Sequence, residues 1–398
     1  MRGLEACARE FLERHLLRGS RRPIAVGLSG GGDSLALTLI ADAWAREAGR
    51  DLLILTVDHG LQPDSAGWTR ACAATAQRLE RPFRALAWTG EKPKAGLPAA
   101  ARLARHRLLA DAAREAGARV ILLGHTADDL AEAAAMRAAG STTPDARPWA
   151  PSPVWPEGRG LFVLRPLLTV RRADLRDGLA ARGETWIEDP ANADPRYARS
   201  RARLAGAPLP TEAPAQGPLA LAAAATEWAG VITIRRPALQ AAPADDVRRF
   251  VRLAAVCAGG GERLPATARV ARVAAALQGT EALVATLAGA RIEADDGAVR
   301  IFREAGEAAR GGLAPVQPPA VWDGRFEISE GHEVRRLAGL ARQLPPQQQA
   351  ALKDIPAAAR SALPVVVEED GAVRLASPDS LVGERLCAAA GLIQREPA

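Results

Sequence analysis

Aromatic side chains are scarce in this chain, making up 4% of its 398 residues with a single Tyr. Its cores must therefore be built from Ala, Leu and Val. Cysteine is rarer still. Cys7, Cys72, Cys257 and Cys387 stand singly and no CxxC pair occurs, which argues against a zinc ribbon, a cluster-binding loop or a disulfide framework and fits a reducing cytosol. Lysine is confined to Lys92, Lys94 and Lys353, so the positive charge is arginine. No run of about 18 apolar residues free of charge appears, so no membrane span is expected. The N-terminal MRGLEACAREFLERHLLRGSRR lacks the apolar centre of a signal peptide and reads as an amphipathic helix. The expected setting is cytoplasmic, with no membrane partner. What is present is ordinary for a globular protein: 48% hydrophobic, 25% charged, net charge +6. A modest basic excess permits a polyanionic partner without proving one.

The first 190 residues alternate short apolar runs with helical periodicity. Ile24–Leu28, Leu52–Val57, Phe83–Trp88, Val120–Leu123 and Leu161–Leu164 read as strands. Between and after them, Leu37, Ile40, Ala41 and Trp44, then Pro98–Glu115, Thr126–Ala139 and Arg171–Arg182 have helical spacing. Strands alternating with helices imply an α/β fold, a parallel sheet with helices on both faces. Gly140–Gly160 reads as a long irregular loop. The expected organisation is a catalytic domain over 1–204, a Pro/Ala/Gly linker over 205–218, a mainly helical region over 219–305 and a mixed α/β region over 306–398. Within 219–305, Leu283–Glu304 looks like two strands around the turn Asp296-Gly297.

Ser29-Gly30-Gly31-Gly32-Asp33-Ser34 follows the first strand and opens a helix. Glycines let backbone amides crowd around an anion, and the helix N-terminus adds unpaired N–H groups and partial positive charge. Ser29 and Ser34 add hydroxyls. A carboxylate at Asp33 would repel phosphates unless it holds Mg²⁺ or orients a cation. Neither the GxGxxG pattern nor a GK[ST] ending is present, so the lysine grip of the ordinary P-loop is ruled out.

This loop resembles the SGGxDS signature of the PP-loop ATP pyrophosphatases. Further segments resemble one family among them, the tRNA(Ile)-lysidine synthetases. They are Val57-Asp58-His59-Gly60-Leu61, Ala101-Arg102-Leu103-Ala104-Arg105, Gly124-His125-Thr126-Ala127-Asp128-Asp129, Leu164-Arg165-Pro166-Leu167-Leu168, Trp186-Ile187-Glu188-Asp189-Pro190-Ala191-Asn192 and Tyr197-Ala198-Arg199-Ser200-Arg201-Ala202-Arg203. They fall in the family's order across 24–203. Pro98, Thr126, Leu130, Ala133, Ala191 and Ser200 depart from its usual pattern.

The resemblance implies adenylylation by ATP of the C2 oxygen of the wobble cytidine in tRNA(Ile) with a CAU anticodon. Attack by the ε-amine of free L-lysine then gives lysidine, AMP and pyrophosphate, with Mg²⁺ assisting. The residues expected to do this are Asp33, Asp128, Asp129 and His125 for catalysis. Ser29, Gly30, Gly31, Gly32, Asp33, Ser34, Asp58 and His59 are expected at ATP. Arg102, Arg105, Arg196, Arg199 and Arg203 are expected at tRNA, and Asp33 and Asp129 at the metal. Asp128 could instead serve its helix N-terminus, and the arginines could form a charged helix face. A homodimer is left open. Two other readings stand beside this one. A thiolating PP-loop enzyme is disfavoured by the dispersed cysteines. A non-catalytic, ATP-dependent RNA-binding protein is disfavoured by the complete loop and by the Asp128-Asp129 pair.

Overall fold

A computed structural model of the chain describes residues 2–140, 149–151, 161–190, 194, 198–206, 217–261, 264–306, 311–376 and 380–396. It divides into two units, Met1–Ala150 with Leu161–Gln216 and Gln394–Ala398, and Pro151–Gly160 with Gly217–Ile393. One of the four boundaries of this division, between residues 216 and 217, lies within 205–218.

In the first unit, α1 (Arg2–His15) is followed by β1 (Ile24–Gly27), α2 (Gly32–Ala48), β2 (Leu52–Asp58), α3 (Ser65–Arg78), β3 (Phe83–Ala87) and α4 (Leu97–Glu115). Then come β4 (Val120–Leu122), α5 (Ala127–Ala138), β5 (Trp149–Pro151), β6 (Phe162–Leu164), α6 (Arg172–Ala180) and α7 (Ala198–Leu204). The sheet order is β3-β2-β1-β4-β6-β5, and the pairs from β3 to β6 are parallel. Ile24 lies opposite Leu52 on one side and Val120 on the other, so β1 is central. β4 and β6 are buried throughout, which is why they read as unbroken apolar runs without alternation.

The chain order reverses between β1 and β4, because β2 and β3 build outward on one side and β4 and β6 on the other. At such a switch point the loops at the strands' carboxyl ends diverge and leave a crevice. The loop after β1 carries Ser29–Ser34, and the loop after β4 carries Gly124–Asp129. The two backbones touch: a Cβ on Gly124 would lie 3.0 Å from both Asp33 O and Ser34 Cα. A side chain there would force this backbone to give by a few tenths of an ångström.

The second unit contains α8 (Ala220–Ala223), β7 (Thr226–Trp228), β8 (Val231–Arg235), α9 (Arg236–Ala241), α10 (Ala244–Gly259), α11 (Thr267–Gln278), β9 (Leu283–Leu287), β10 (Ala290–Ala294) and β11 (Ala298–Arg303). β12 (Ala320–Trp322), β13 (Phe326–Ile328), β14 (Glu333–Arg336), α12 (Pro346–Ala351), α13 (Ala357–Arg360), β15 (Pro364–Val367), β16 (Val373–Leu375) and α14 (Val382–Ala389) complete it. The segment 219–305, expected to be mainly helical, has those helices and also a five-stranded antiparallel sheet, β7-β8-β11-β10-β9. The span 283–304, read as two strands around Asp296-Gly297, holds three, β9, β10 and β11, with β10 and β11 on either side of that turn. β7 and β8 escape a reading by periodicity because each is short and set in alanine-rich surroundings of high helix propensity. α10 packs Val247, Phe250, Val251 and Leu253 into this unit's first core. A second core gathers around Trp322, Phe326, Val365 and Val366.

Residues 394–396 belong to the first unit. Glu396 Oε1 accepts Leu17 N at 2.6 Å and its carboxylate pairs with Arg50. Gln394 O accepts from His15 Nδ1 at 2.5 Å. The Arg50 and Glu396 side chains are 0% and 3% exposed.

Candidate active site

The loop closes on itself before any ligand arrives. Gly30 has φ +85°, a conformation that costs a side chain about 1–2 kcal/mol. Ser34 Oγ accepts Ser29 N at 3.1 Å and donates to Gly31 O at 2.9 Å. α2 begins at Gly32 with its N-cap at Gly31, and that residue makes no side-chain capping bond, so the first amides of the helix remain for an anion. Trp186–Ile187 lies over the loop. Ile187 N donates to Gly30 O at 2.9 Å, and the Trp186 ring covers Gly32. Trp186 Nε1 donates to Glu188 Oε1 at 2.7 Å, and Glu188 also pairs with Arg176 at 3.0 Å.

Asp33, at the head of α2, uses one oxygen: Oδ2 accepts from Arg172 Nε at 2.9 Å. Its Oδ1 is buried and has no hydrogen-bond partner. Burial pushes the Asp33 carboxyl above its usual value, against the pull of Arg172. A buried anionic oxygen without a partner fits a Mg²⁺ ligand. Among the described residues no group of three or more His, Cys, Asp or Glu could hold a metal.

Across the switch point, Thr126 and Asp129 form a capping box on α5. Asp129 Oδ2 accepts Thr126 N at 2.7 Å and Thr126 Oγ1 at 2.9 Å. Its Oδ1 meets Arg172 Nη2 at 3.4 Å and Arg199 Nη2 at 2.5 Å. Asp128 Oδ2 accepts the backbone Arg172 N at 2.7 Å, and Oδ1 pairs with Arg171 at 3.2 Å. Asp128 thus holds the N-terminus of α6 rather than that of its own helix. Asp33 and Asp129 converge on Arg172, whose guanidinium they hold more strongly charged than usual despite its burial.

Sequence reasoning missed the residue that completes this group. Glu132, 2% exposed, meets Arg172 Nη1 at 3.0 Å, Arg199 Nε at 2.8 Å and Arg203 Nε at 2.8 Å. Its position three residues after Asp129 puts it on the same helix face, and that spacing was the available signal. Arg172 was missed too, although it follows β6 much as the Asp128-Asp129 pair follows β4. Arg199 and Arg203, expected at tRNA, turn inward to these carboxylates. Arg196 lies outside the described residues, as do Ala191 and Asn192.

The remaining candidates sit at the same edge. Asp58 Oδ1 accepts Gly60 N at 2.8 Å, closing a tight turn. His59 stands edge-on to Trp88 with ring centroids 5.9 Å apart. Its Nδ1 is buried without a partner, and burial followed by the Arg105 charge lowers its pKa. Arg102 and Arg105 share a face of α4 with His106, and burial, then Arg102, brings Arg105 down to about 10. His125 receives a hydrogen bond from Arg165. The site therefore has an acidic half around Arg172 and a basic half around His125, with the glycine loop beside them.

The doubly wound sheet, the glycine loop at its switch point and the flanking carboxylates define an ATP-binding PP-loop domain, and the PP-loop domain family matches residues 4–208. A tRNA(Ile)-lysidine synthase of Caulobacter vibrioides is 50% identical, covering 98% of this chain and 98% of its own length. One from Rhizobium meliloti is 35% identical over 85% of this chain and 79% of its own, and one from Hyphomonas neptunium 41% identical over 46% and 50%. The chain belongs to the tRNA(Ile)-lysidine synthase family, ATP-dependent enzymes built on the PP-loop domain. Among the described residues no helix is long and apolar enough to cross a membrane.

Proposed function

We propose that this chain converts the wobble cytidine of tRNA(Ile) with a CAU anticodon to lysidine, in the cytoplasm, using ATP and free L-lysine. In the first step the C2 oxygen of the base attacks the α-phosphorus of ATP and pyrophosphate leaves. In the second, the uncharged ε-amine of lysine attacks C2, AMP departs with the oxygen, and the amine loses its proton. The amides of Gly31–Ser34 and the head of α2 hold the polyphosphate and meet the charge that builds on the leaving group. Mg²⁺ on Asp33 Oδ1 and the phosphates would supply further charge neutralisation.

The observation that carries this reading is the pairing of the glycine loop with Asp33, whose second oxygen is buried and unpartnered. Asp33, Asp129 and Glu132 enclose the Arg172 guanidinium, which ties the head of α6 to the loop and to α5. The basic half suits the anionic nucleotide. For tRNA, Arg252, Arg269 and Arg272 in the second unit are exposed and supply phosphate-binding charge. The test is incubation of purified protein with tRNA(Ile), ATP and lysine, followed by nucleotide analysis and mass measurement of the anticodon nucleoside. AMP and pyrophosphate formed only with tRNA, together with a lysine-bearing cytidine, are expected. Formation of ADP, or no nucleotide consumption, refutes the assignment.

A further inference from the structure

Arg165 and His125 leave the sheet side by side. β4 and β6 are parallel neighbours with Leu122 opposite Leu164, and Leu123 N donates to Leu164 O at 2.9 Å. The residues that follow, Gly124-His125 and Arg165, therefore emerge together at the carboxyl edge. Arg165 is only 6% exposed, and its Nε lies 3.3 Å from His125 Nδ1. A guanidinium carries hydrogens to donate and no lone pair with which to accept. Nδ1 must therefore present its lone pair. A doubly protonated ring would set N–H against N–H, so the ring is neutral and its hydrogen sits on Nε2.

We propose that Arg165 is a positioning residue that locks His125 as a neutral imidazole protonated at Nε2, making His125 a hydrogen-bond donor to an anionic oxygen of the reacting nucleotide and denying it a role as general base through Nδ1. The surroundings agree. The charges bearing on His125 are Arg165 from the end of β6, Arg102 and Arg105 from α4, and Arg199 from α7. The neighbouring His106 on α4 is itself buried and held neutral. Burial first, then these cations, keeps His125 well below the usual imidazole pKa. A neutral N–H donor among these guanidiniums is complementary to an oxyanion.

The inference rests on the lysidine-forming reading for the identity of that oxyanion, but the tautomer can be measured without any reaction. NMR of protein labelled with ¹⁵N in its five histidines distinguishes the two tautomers, and loss of one signal in His125→Gln assigns it. The expected result is an Nε2–H signal that does not titrate across about pH 5.5–9. In Arg165→Met the signal should become a mixture of tautomers with a raised pKa, adding an acidic limb to the pH profile of AMP release. Arg165→Lys, which restores a cationic donor, should remove that limb. Should Arg165→Met fail to fold, two substitutions at His125 decide. Glutamine, whose amide reaches the place of Nε2, should keep turnover within about tenfold, while asparagine, which mimics Nδ1, should lose about 10²–10³-fold. An Nδ1–H tautomer or an ordinary titration in the parent, or an asparagine variant that outperforms the glutamine one, overturns the proposal. Absence of AMP formation with a correct tautomer would count against the reaction and leave the hydrogen-bond assignment standing.

Discussion

Glu132→Gln tests the organisation of the acidic half. The substitution keeps the side chain's shape and removes its charge, leaving an amide among Arg172, Arg199 and Arg203 where the carboxylate made bonds of 3.0, 2.8 and 2.8 Å. Breaking a buried ion pair from one side costs about 3–5 kcal/mol. The arginine side chains are 13%, 43% and 28% exposed, and Arg172 keeps Asp33 and Asp129, so the lower end, about 3 kcal/mol, is expected. In a unit of this size that corresponds to roughly 6–12 °C in Tm, read by scanning calorimetry or circular dichroism. The pH dependence adds a second check. Burial raises the Glu132 pKa, but the bonds from Arg203 and Arg199 outweigh it, and the net displacement is downward. A depressed carboxylate pKa gives stability that is complete above the ordinary value of 4.5 and lost as pH falls through the folded-state value. The gap between parent and variant should therefore be constant near neutrality and shrink in acid. A loss below about 1 kcal/mol, or a gap that persists unchanged in acid, would refute the account of Glu132 as the hub holding α5, α6 and α7 together.

Asp33→Asn should bind ATP within a few-fold of the parent yet form adenylate at least about 10²-fold more slowly. Equilibrium binding and AMP release measure the two effects, and normal turnover would remove Asp33 from the chemistry. Gly124→Ala pushes a methyl against Asp33 O and Ser34 Cα, both at 3.0 Å and both backbone. It should destabilise by about 1–3 kcal/mol and weaken ATP binding, and parent-like values in both assays would show that the loop can shift freely. Arg199→Ala combined with Arg203→Ala should lower Tm while leaving the salt dependence of tRNA binding intact. A fall of about two in that slope would instead put both side chains on phosphate. Glu396→Gln removes the carboxylate paired with the buried Arg50, which keeps only its bonds to Leu17 O and Arg22 O, and should cost about 3 kcal/mol in urea unfolding.

The alternation of apolar runs and helical patterns carries the architecture of the first unit, since each strand buried on both faces must be uniformly apolar and each helix must present one stripe. The glycine loop was legible because a backbone anion site needs small residues in sequence, beside the strand and helix that frame it. Asp58 ends β2 and His59 follows it, while His125, Asp128 and Asp129 lie in the turn after β4 and the first turn of α5, so their place along the carboxyl edge of a parallel sheet is what singled them out in the sequence. Charge patterns were a weaker guide. Arg199 and Arg203 look alike in sequence whether they face RNA or a buried carboxylate, and their partners Asp129 and Glu132 lie about seventy residues earlier. In the second unit, fully buried Arg236 donates to Asp295 O and Glu281 O, so an arginine-rich composition can serve the core as readily as a partner.

What the residues settle by themselves is local: a strand, a glycine turn and a helix end that together form an anion site, because each of those is made by neighbours in the chain. What the tertiary structure alone decides is pairing over distance. It brings Arg172 to three carboxylates from two other helices, sets Arg165 beside His125 and presses Gly124 against Asp33. These contacts depend on strand order and register, and the free energy of bringing separate segments together is not written in any one of them.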